Sequence, residues 1–346
     1  MVELREQKII DFIKKRSSCS SKEIFDNVGI SVSYATLKRV LSKLITENYI
    51  ITTGKGKGTK YFISPIFELL VPIDVEKYYT KEIDSRKIKE NFNFSILHEV
   101  FAKHSVFSNV ELEKLQKLQQ KFEENISQLS KNEYKKEFER LAIDLSWKSS
   151  QIEGNTYSLL ETERLLKDKE TASGKTKEEA IMLLNHKEAL DFILANPDYL
   201  QPLSVSKIED IHRILTKELL VEQNLRKRRV GISGTNYRPL DNEFQILEAL
   251  QKSCEVINLK QSVFEKALLT LVLISYIQPF MDGNKRTARI VSNAILMNKK
   301  SCPLSFRTVD SIDYKKAMLL FYEQNNISRF KEIFINQFEF AVNTYF

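Results

Sequence analysis

The chain has 346 residues, 42% hydrophobic and 29% charged, enough apolar material for a large buried core divided into two or three domains. Its longest apolar run, Ala267 to Ile277, is well short of the roughly 20 residues of a bilayer span and follows Glu265 and Lys266, so no membrane role is expected and the run reads as a central core helix. The N-terminus MVELREQKII lacks a signal-like apolar stretch, and Cys19, Cys254 and Cys302 are too scattered for a disulfide framework or a metal spacing, so the expected compartment is the cytoplasm.

The net charge of +7 is concentrated at the start: residues 1–65 carry twelve Lys or Arg against six Asp or Glu, which suggests a polyanionic partner. Leu4, Ile9, Ile10 and Ile13 recur at helical spacing, Ser20 to Glu23 opens a second helix ending at Gly29, and Ser33 leads a third. The third should turn Ala35, Leu37, Val40, Leu41 and Leu44 inward and leave Tyr34, Lys38, Arg39 and Lys43 outside. Two strand-like stretches, Tyr49 to Thr53 and Tyr61 to Ile63, flank the basic glycine-rich tip GKGKGTK. Three helices and a hairpin resemble a winged helix-turn-helix domain. On DNA, Tyr34, Lys38 and Arg39 would face the major groove, and Lys55, Lys57 and Lys60 would meet phosphates. Winged helices also dock proteins or dimerise, and a basic run is often only a solvated face.

Pro65 and Pro72 bracket a linker, after which Asp74 to Glu90 and Phe94 to His104 read as helical. From Val110 to Leu129, a stripe of Leu112, Leu115, Leu118, Phe122, Ile126 and Leu129 predicts a helix facing the core or a homodimer seam. Another helix should run from Asn132 through Phe138, Leu141 and Leu145 to Ser149 and Glu153. Ser158 and Glu161 form a capping box, and Lys177 to Ala195 is amphipathic. SGKT at 173–176 lacks the earlier glycine of a P-loop, where Lys169 stands. His98, His104, His186 and His212 show no metal spacing; His212 reads as a packed or surface residue, with a substitute-base role left open. The segment RRVGISGTNYRPL, Arg228 to Leu240, suggests a short β-hairpin from its glycines, Asn236 and Pro239.

The densest chemistry lies in QPFMDGNKRTAR, Gln278 to Arg289. A helix starting after the Gly283–Asn284 turn would aim its unpaired N–H groups at an anion. Asp282 could cap that helix or hold a metal, and Arg286 and Arg289, three apart, share a face that can meet two phosphates of one nucleotide. Taken singly, each element reads more simply as an ordinary Asp-Gly turn between helices with a solvated basic face; the ordered set points to the phosphate site.

This stretch resembles the signature of the Fic (Fido) family, departing only at its first position, where Gln278 replaces a histidine. Ser149, Glu153 and Gly154, followed by Asn155, likewise resemble the family's inhibitory motif. The resemblance implies a mainly α architecture: a Fic-type helical core with a short β-hairpin flap, behind the N-terminal winged helix. The expected division is residues 1–65, a helical connector 66–131, and a Fic domain 132–346. The implied activity is transfer of AMP from ATP with Mg²⁺ to a Tyr, Thr or Ser hydroxyl of another protein. In that scheme Asp282 binds Mg²⁺; Gly283, Asn284 and Lys285 form the phosphate cradle; Arg286 holds phosphate; and Arg289 reaches the γ-phosphate. Val230, Gly231, Ile232, Ser233 and Gly234 would be the target-clamping flap, and Glu153 would pair with Arg289 as a brake. Gln278 falls where the family's acid–base residue stands, and an amide has no proton-accepting group near neutral pH. Three functions follow: an adenylyltransferase braked by Glu153 and attenuated by Gln278; a silent nucleotide-binding Fic domain coupled to a DNA-binding regulator; or a de-AMPylase.

Overall fold

The computed structural model describes residues 3–30 and 32–346, and its element order follows the expected mainly α pattern. An N-terminal unit comprises α1 (Leu4–Arg16), α2 (Ser21–Asn27), α3 (Tyr34–Thr46) and an antiparallel pair, β1 (Ile50–Thr53) and β2 (Lys60–Ile63), in the register Ile50 to Ile63. Ile9, Ile10, Ile13, Leu37, Leu41 and Leu44 are buried against Cys19, Tyr49 and Tyr61. Ala35, expected inward, is exposed. It sits in the first turn, and Leu37 and Leu41 already fill the inner face.

The connector departs most from expectation. The stretch between Pro65 and Pro72, expected as a linker, holds a short buried helix, α4 (Phe67–Leu70); instead of a helix over 74–90 there is α5 (Val75–Tyr79), a 3-10 turn (Ile83–Ser85), and then extended chain, with only a π-helical segment (Ile96–Phe101) inside 94–104. The cause is tertiary: the backbone N–H groups that would close helical turns bond elsewhere, Lys89 to the Glu323 carbonyl at 2.8 Å, while the Glu90 carbonyl accepts from Arg238 N–H at 2.7 Å.

The remaining helices are α6 (Asn109–Ser127), α7 (Lys131–Ile152), α8 (Leu159–Asp168), α9 (Lys177–Ala195), α10 (Val205–Thr216), α11 (Glu243–Leu259), α12 (Val263–Ile277), α13 (Asn284–Asn298), α14 (Ser311–Gln324) and α15 (Ser328–Tyr345). Six of the N-caps from α6 to α12 are Ser, Thr or Asn side chains accepting the orphan N–H groups of the first turn. The stripe on α6 packs within the chain: Leu115 and Phe122 are buried, Phe122 meets Phe346 edge-on at 5.0 Å, and Lys114 pairs with Glu339 of α15. At the centre stands α12, with every residue from Ala267 to Ile277 buried. A helix apolar all round needs neighbours all round, and α13, α11 and α14 supply them. This packing fixes the α12–α13 connection, Gln278 to Gly283, at the heart of the fold. None of the helices is long and apolar enough to cross a membrane among the described residues.

Candidate nucleotide site

The loop between α12 and α13 is shaped by two left-handed residues. Gln278 ends α12 at φ +52°, and Gly283 precedes α13 at φ +78°. Gly283 is required twice, because a Cβ there would also lie 3.4 Å from His212 Nε2. Having no side chain, Gly283 does not cap the helix, nor does Asp282. The first intrahelical donor is the Thr287 N–H, to the Gly283 carbonyl at 2.9 Å, so the N–H groups of Asn284, Lys285 and Arg286 have no backbone partner. That is a helix N-terminus left open for an anion.

Side chains lock the loop. Asn284 accepts from Phe280 N–H and donates to the Phe280 carbonyl, both at 2.8 Å, and also donates to Gln278 Oε1 at 3.0 Å. Gln278 in turn donates to the Ser275 carbonyl at 2.6 Å. His212 is buried, stacked on Phe280 with centroids 3.7 Å apart, each ring nitrogen facing a backbone carbonyl, of Asp282 (3.0 Å) and of Gln223 (3.2 Å). Burial pushes its pKa down to about 4 despite both carbonyls. It holds the loop from behind, and the cavity is lined without it, so His212 is a packed residue rather than a substitute base.

A cavity of about 340 Å³ opens over this loop, lined by Ile152, Glu153, Gln278, Met281, Asp282, Asn284 and Lys285 on the loop side. Val230 to Ser233 form one wall, and Lys315, Met318, Leu319 and Tyr322 of α14 form the other. The two arginines are not in the lining; they lie one layer deeper, with side chains 2% and 0% exposed. Arg286 meets Asp282 at 3.2 Å, while its Nε and Nη1 are buried without a partner. Arg289 is held from α7: its Nε donates to Ser149 Oγ at 2.8 Å, and its Nη2 donates to the Ser149 carbonyl at 2.8 Å and to Glu153 Oε1 at 2.9 Å. Lys285 Nζ takes the other Glu153 oxygen at 3.2 Å. Burial alone would raise the Glu153 pKa, but Arg289 and Lys285 together hold it down to about 2. Gly154, at φ +102°, serves the ordinary role of ending α7 as well.

Asp282 is the exposed acid of the loop, 68% accessible, with one oxygen free of any protein partner among the described residues. No group of three metal-ligating side chains is gathered among the described residues. A single carboxylate beside an anion cradle fits Mg²⁺ held mostly by phosphates and water.

The segment expected as a hairpin flap carries a turn at Ser233–Gly234, with Gly234 at φ +88°, but its two legs do not pair as strands. The second leg is taken by other partners: Arg238 bridges to Asn91, and Tyr237 is buried on Tyr276 at 5.0 Å. The first leg, Val230 to Ser233, makes no intramolecular backbone hydrogen bond among the described residues. Both legs are anchored by Arg226, a fully buried guanidinium that the sequence reading missed. It donates to the carbonyls of Gln278 (2.6 Å), Arg228 (2.9 Å) and Leu240. Nothing in the sequence marks Arg226 apart from its neighbours Arg228 and Arg229.

In the N-terminal unit, Arg39 and Lys55 are exposed, but Tyr34 Oη bonds Ser21 Oγ at 2.7 Å, Lys38 reaches Tyr61 Oη, and Lys60 pairs with Glu23 at 2.9 Å. The side chain of Lys57 lies outside the described ones.

Residues 202–296 match the model of the Fic/DOC family. The chain is 30% identical over 176 residues to a protein adenylyltransferase Fic of Nematostella vectensis, covering 48% of this chain and 40% of that protein. It is 26% identical over 174 residues to protein adenylyltransferase fic-1 of Caenorhabditis elegans, covering 48% and 34%. The chain thus spans less than half the length of these curated relatives. Among solved structures, a fragment of Fic-1 from C. elegans superposes with TM-score 0.60 at 20% identity, covering 68% of this chain and 72% of that one. A Fic domain-containing signaling protein from Bacteroides thetaiotaomicron gives 0.56 at 19% identity, covering 66% and 94%. Both likenesses speak for the fold, and the segment similar to the Fic/DOC family, residues 202–296, contains the flap and the α12–α13 loop, while Glu153 and the α14 wall lie outside it.

Proposed function

We propose that the chain is a Fic-type protein adenylyltransferase whose site is closed by Glu153 and slowed by Gln278. The observation that carries this reading is the open N-terminus of α13, backed by the two unpartnered buried donors of Arg286. Nucleotide phosphates would rest on the α13 N–H groups. A target hydroxyl brought along the unpaired Val230–Ser233 leg by added-strand pairing would attack the α-phosphorus; the bond to the β-phosphate breaks and pyrophosphate leaves. Mg²⁺ held by Asp282 would neutralise phosphate charge. Gln278 positions Asn284 but takes no proton, so the hydroxyl must lose its proton to solvent or phosphate. A tyrosine target, with a pKa of about 10, suffers least.

Glu153 on Arg289 supports the brake: while it occupies that guanidinium, a γ-phosphate cannot. Gln278's fully bonded amide favours a second reading, a nucleotide sensor without transfer, coupled to residues 1–65 as a winged helix on DNA; of the side chains expected at that contact, Arg39 and Lys55 are left free among the described ones. Three buried free thiols suit the cytoplasm as its compartment. The test is intact-mass spectrometry after incubation with ATP and Mg²⁺, on wild type, Glu153→Gly, Gln278→His and the double variant. AMP adducts on Glu153→Gly alone support the transferase. Adducts only on variants carrying Gln278→His support the sensor, and no adduct on any variant overturns AMP transfer.

A further inference from the structure

The strap 80–91, a 3-10 turn followed by extended chain, runs from the end of α5 along the flap, outside the segment matched by the family model. Arg86 of the strap turns inward, its side chain 9% exposed, with its guanidinium over the Tyr79 ring at 4.8 Å and Nε donating to the Lys81 carbonyl at 3.1 Å. Its Nη1 reaches two elements at once: the Gly234 carbonyl at 3.0 Å and Glu323 Oε1 at 3.2 Å. Gly234 is the flap turn. Glu323 is buried on α14, next to Tyr322, and is further fixed by Tyr78 Oη at 2.6 Å. The flap and α14 are the two facing walls of the cavity. One guanidinium therefore clasps both walls from behind, and two flanking contacts run the same way, Asn236 to Asp84 at 2.9 Å and Arg238 N–H to the Glu90 carbonyl.

We propose that Arg86 is a positioning residue for the acceptor protein: it holds the flap turn against α14, so that the unpaired Val230–Ser233 leg is presented at a fixed distance from the phosphate cradle. This rests on the adenylyltransferase reading for its acceptor, but not for its geometry. An extended acceptor segment pairing with a loose strand must order it first, and Arg86 removes that entropy in advance. Arg86 makes no bond to the α12–α13 loop or to α13, so the phosphate cradle should keep its affinity for nucleotide when Arg86 is replaced.

The test uses the full chain with a nitroxide on Ser233→Cys, an exposed position; the native cysteines are buried and escape labelling. Arg86→Met should make the label several times more mobile, with Arg86→Lys intermediate because an ammonium can reach Gly234 and Glu323 but lacks the Nε bond to the Lys81 carbonyl and the guanidinium face on Tyr79 that hold the side chain in place. Lys77→Met, an exposed site on α5, should match wild type. Affinity for a fluorescent ATP analogue should stay within about twofold, while in the Glu153→Gly background the apparent KM for a pooled Tyr/Thr peptide acceptor rises about tenfold at near-constant kcat, as expected for loss of one charged hydrogen bond. Unchanged label mobility in Arg86→Met overturns the inference, as does a parallel loss of ATP-analogue affinity, which would mark a merely structural arginine. If Glu153→Gly itself transfers no AMP, the adenylyltransferase reading fails, and the label still decides whether Arg86 holds the flap.

Discussion

Removing the Glu153 carboxylate is the most informative perturbation of this site. The carboxyl is held at about 2 instead of its ordinary 4.5, which corresponds to about 3 kcal/mol of preference for the ionised, paired form. Two contacts supply it, Arg289 at 2.9 Å and Lys285 at 3.2 Å. A γ-phosphate seeking Arg289 must displace that pair, so its loss should strengthen ATP binding by up to about 10²-fold at 1.4 kcal/mol per decade. Glu153→Gly and Glu153→Gln separate charge from volume: if the closure is electrostatic, Gln recovers most of the gain. Calorimetric titration with ATP and Mg²⁺ reads the affinity, and intact mass reads the adduct. The reasoning is refuted if both variants bind ATP within twofold of wild type, because Arg289 would then be no part of the nucleotide's seat.

Four further outcomes are expected. Adding Gln278→His to Glu153→Gly should raise the AMP-transfer rate by about 10²–10⁴, the usual contribution of a general base; an equal rate in single and double variants would show that the proton leaves by another route. Because the Glu153 contribution is present above pH 4.5 and is lost only as pH falls towards 2, wild-type ATP affinity should carry no brake release between pH 5 and 9, and a release near pH 6 in the titration would assign the brake to another group. His212, with its pKa pushed to about 4 by burial, takes up a proton on unfolding. Its share of stability, about 3 kcal/mol from the 6.5 to 4 difference, is complete above pH 6.5 and lost down to pH 4, so His212→Gln should flatten that part of the urea-midpoint profile. If residues 1–65 contact DNA, Arg39→Ala and Lys55→Ala should each reduce the salt dependence of binding by about one counterion, measured by fluorescence anisotropy, and unchanged slopes would argue for a protein-docking role.

What was legible in the sequence follows a physical division. Elements defined by periodic burial or by a cap were readable: α6 from its leucine stripe, α8 from Ser158 and Glu161, α12 from its unbroken apolar run. The phosphate loop was readable because its backbone demands a particular residue, Gly283, and because helical spacing puts Arg286 and Arg289 on one face. Unreadable were the features whose partners are remote in sequence. The strap 80–91 has helical composition, yet its backbone bonds to Glu323 and Arg238, over 140 residues away. The flap has hairpin composition, yet its second leg is held by remote partners, Tyr237 buried against Tyr276 and Arg238 N–H on the Glu90 carbonyl. The depth of the arginines was hidden for the same reason, since spacing places them on a face but only the packing of α7 and α14 sets how far below the surface that face lies.

The distribution of satisfied and unsatisfied polar groups separates binding from chemistry at this site. Buried donors without partners each cost about 1–3 kcal/mol, and they are rare in packed interiors. Here Arg286 Nε and Nη1 are buried and unpartnered, one turn into a helix whose first three N–H groups are also free of backbone partners. An anion would repay that whole set at once. Gln278 is the reverse: its amide donates to Ser275 and accepts from Asn284, so the loop geometry is complete without any ligand. A glutamine that braces Asn284 keeps the cradle in shape while contributing no base. The energetic demand for a ligand thus falls on the phosphate side and not on the proton-transfer side, which is why ATP affinity should survive substitutions that abolish transfer. The Glu153→Gly and Gln278→His pair tests that ordering: the first should act mainly on nucleotide affinity, and the second almost entirely on rate.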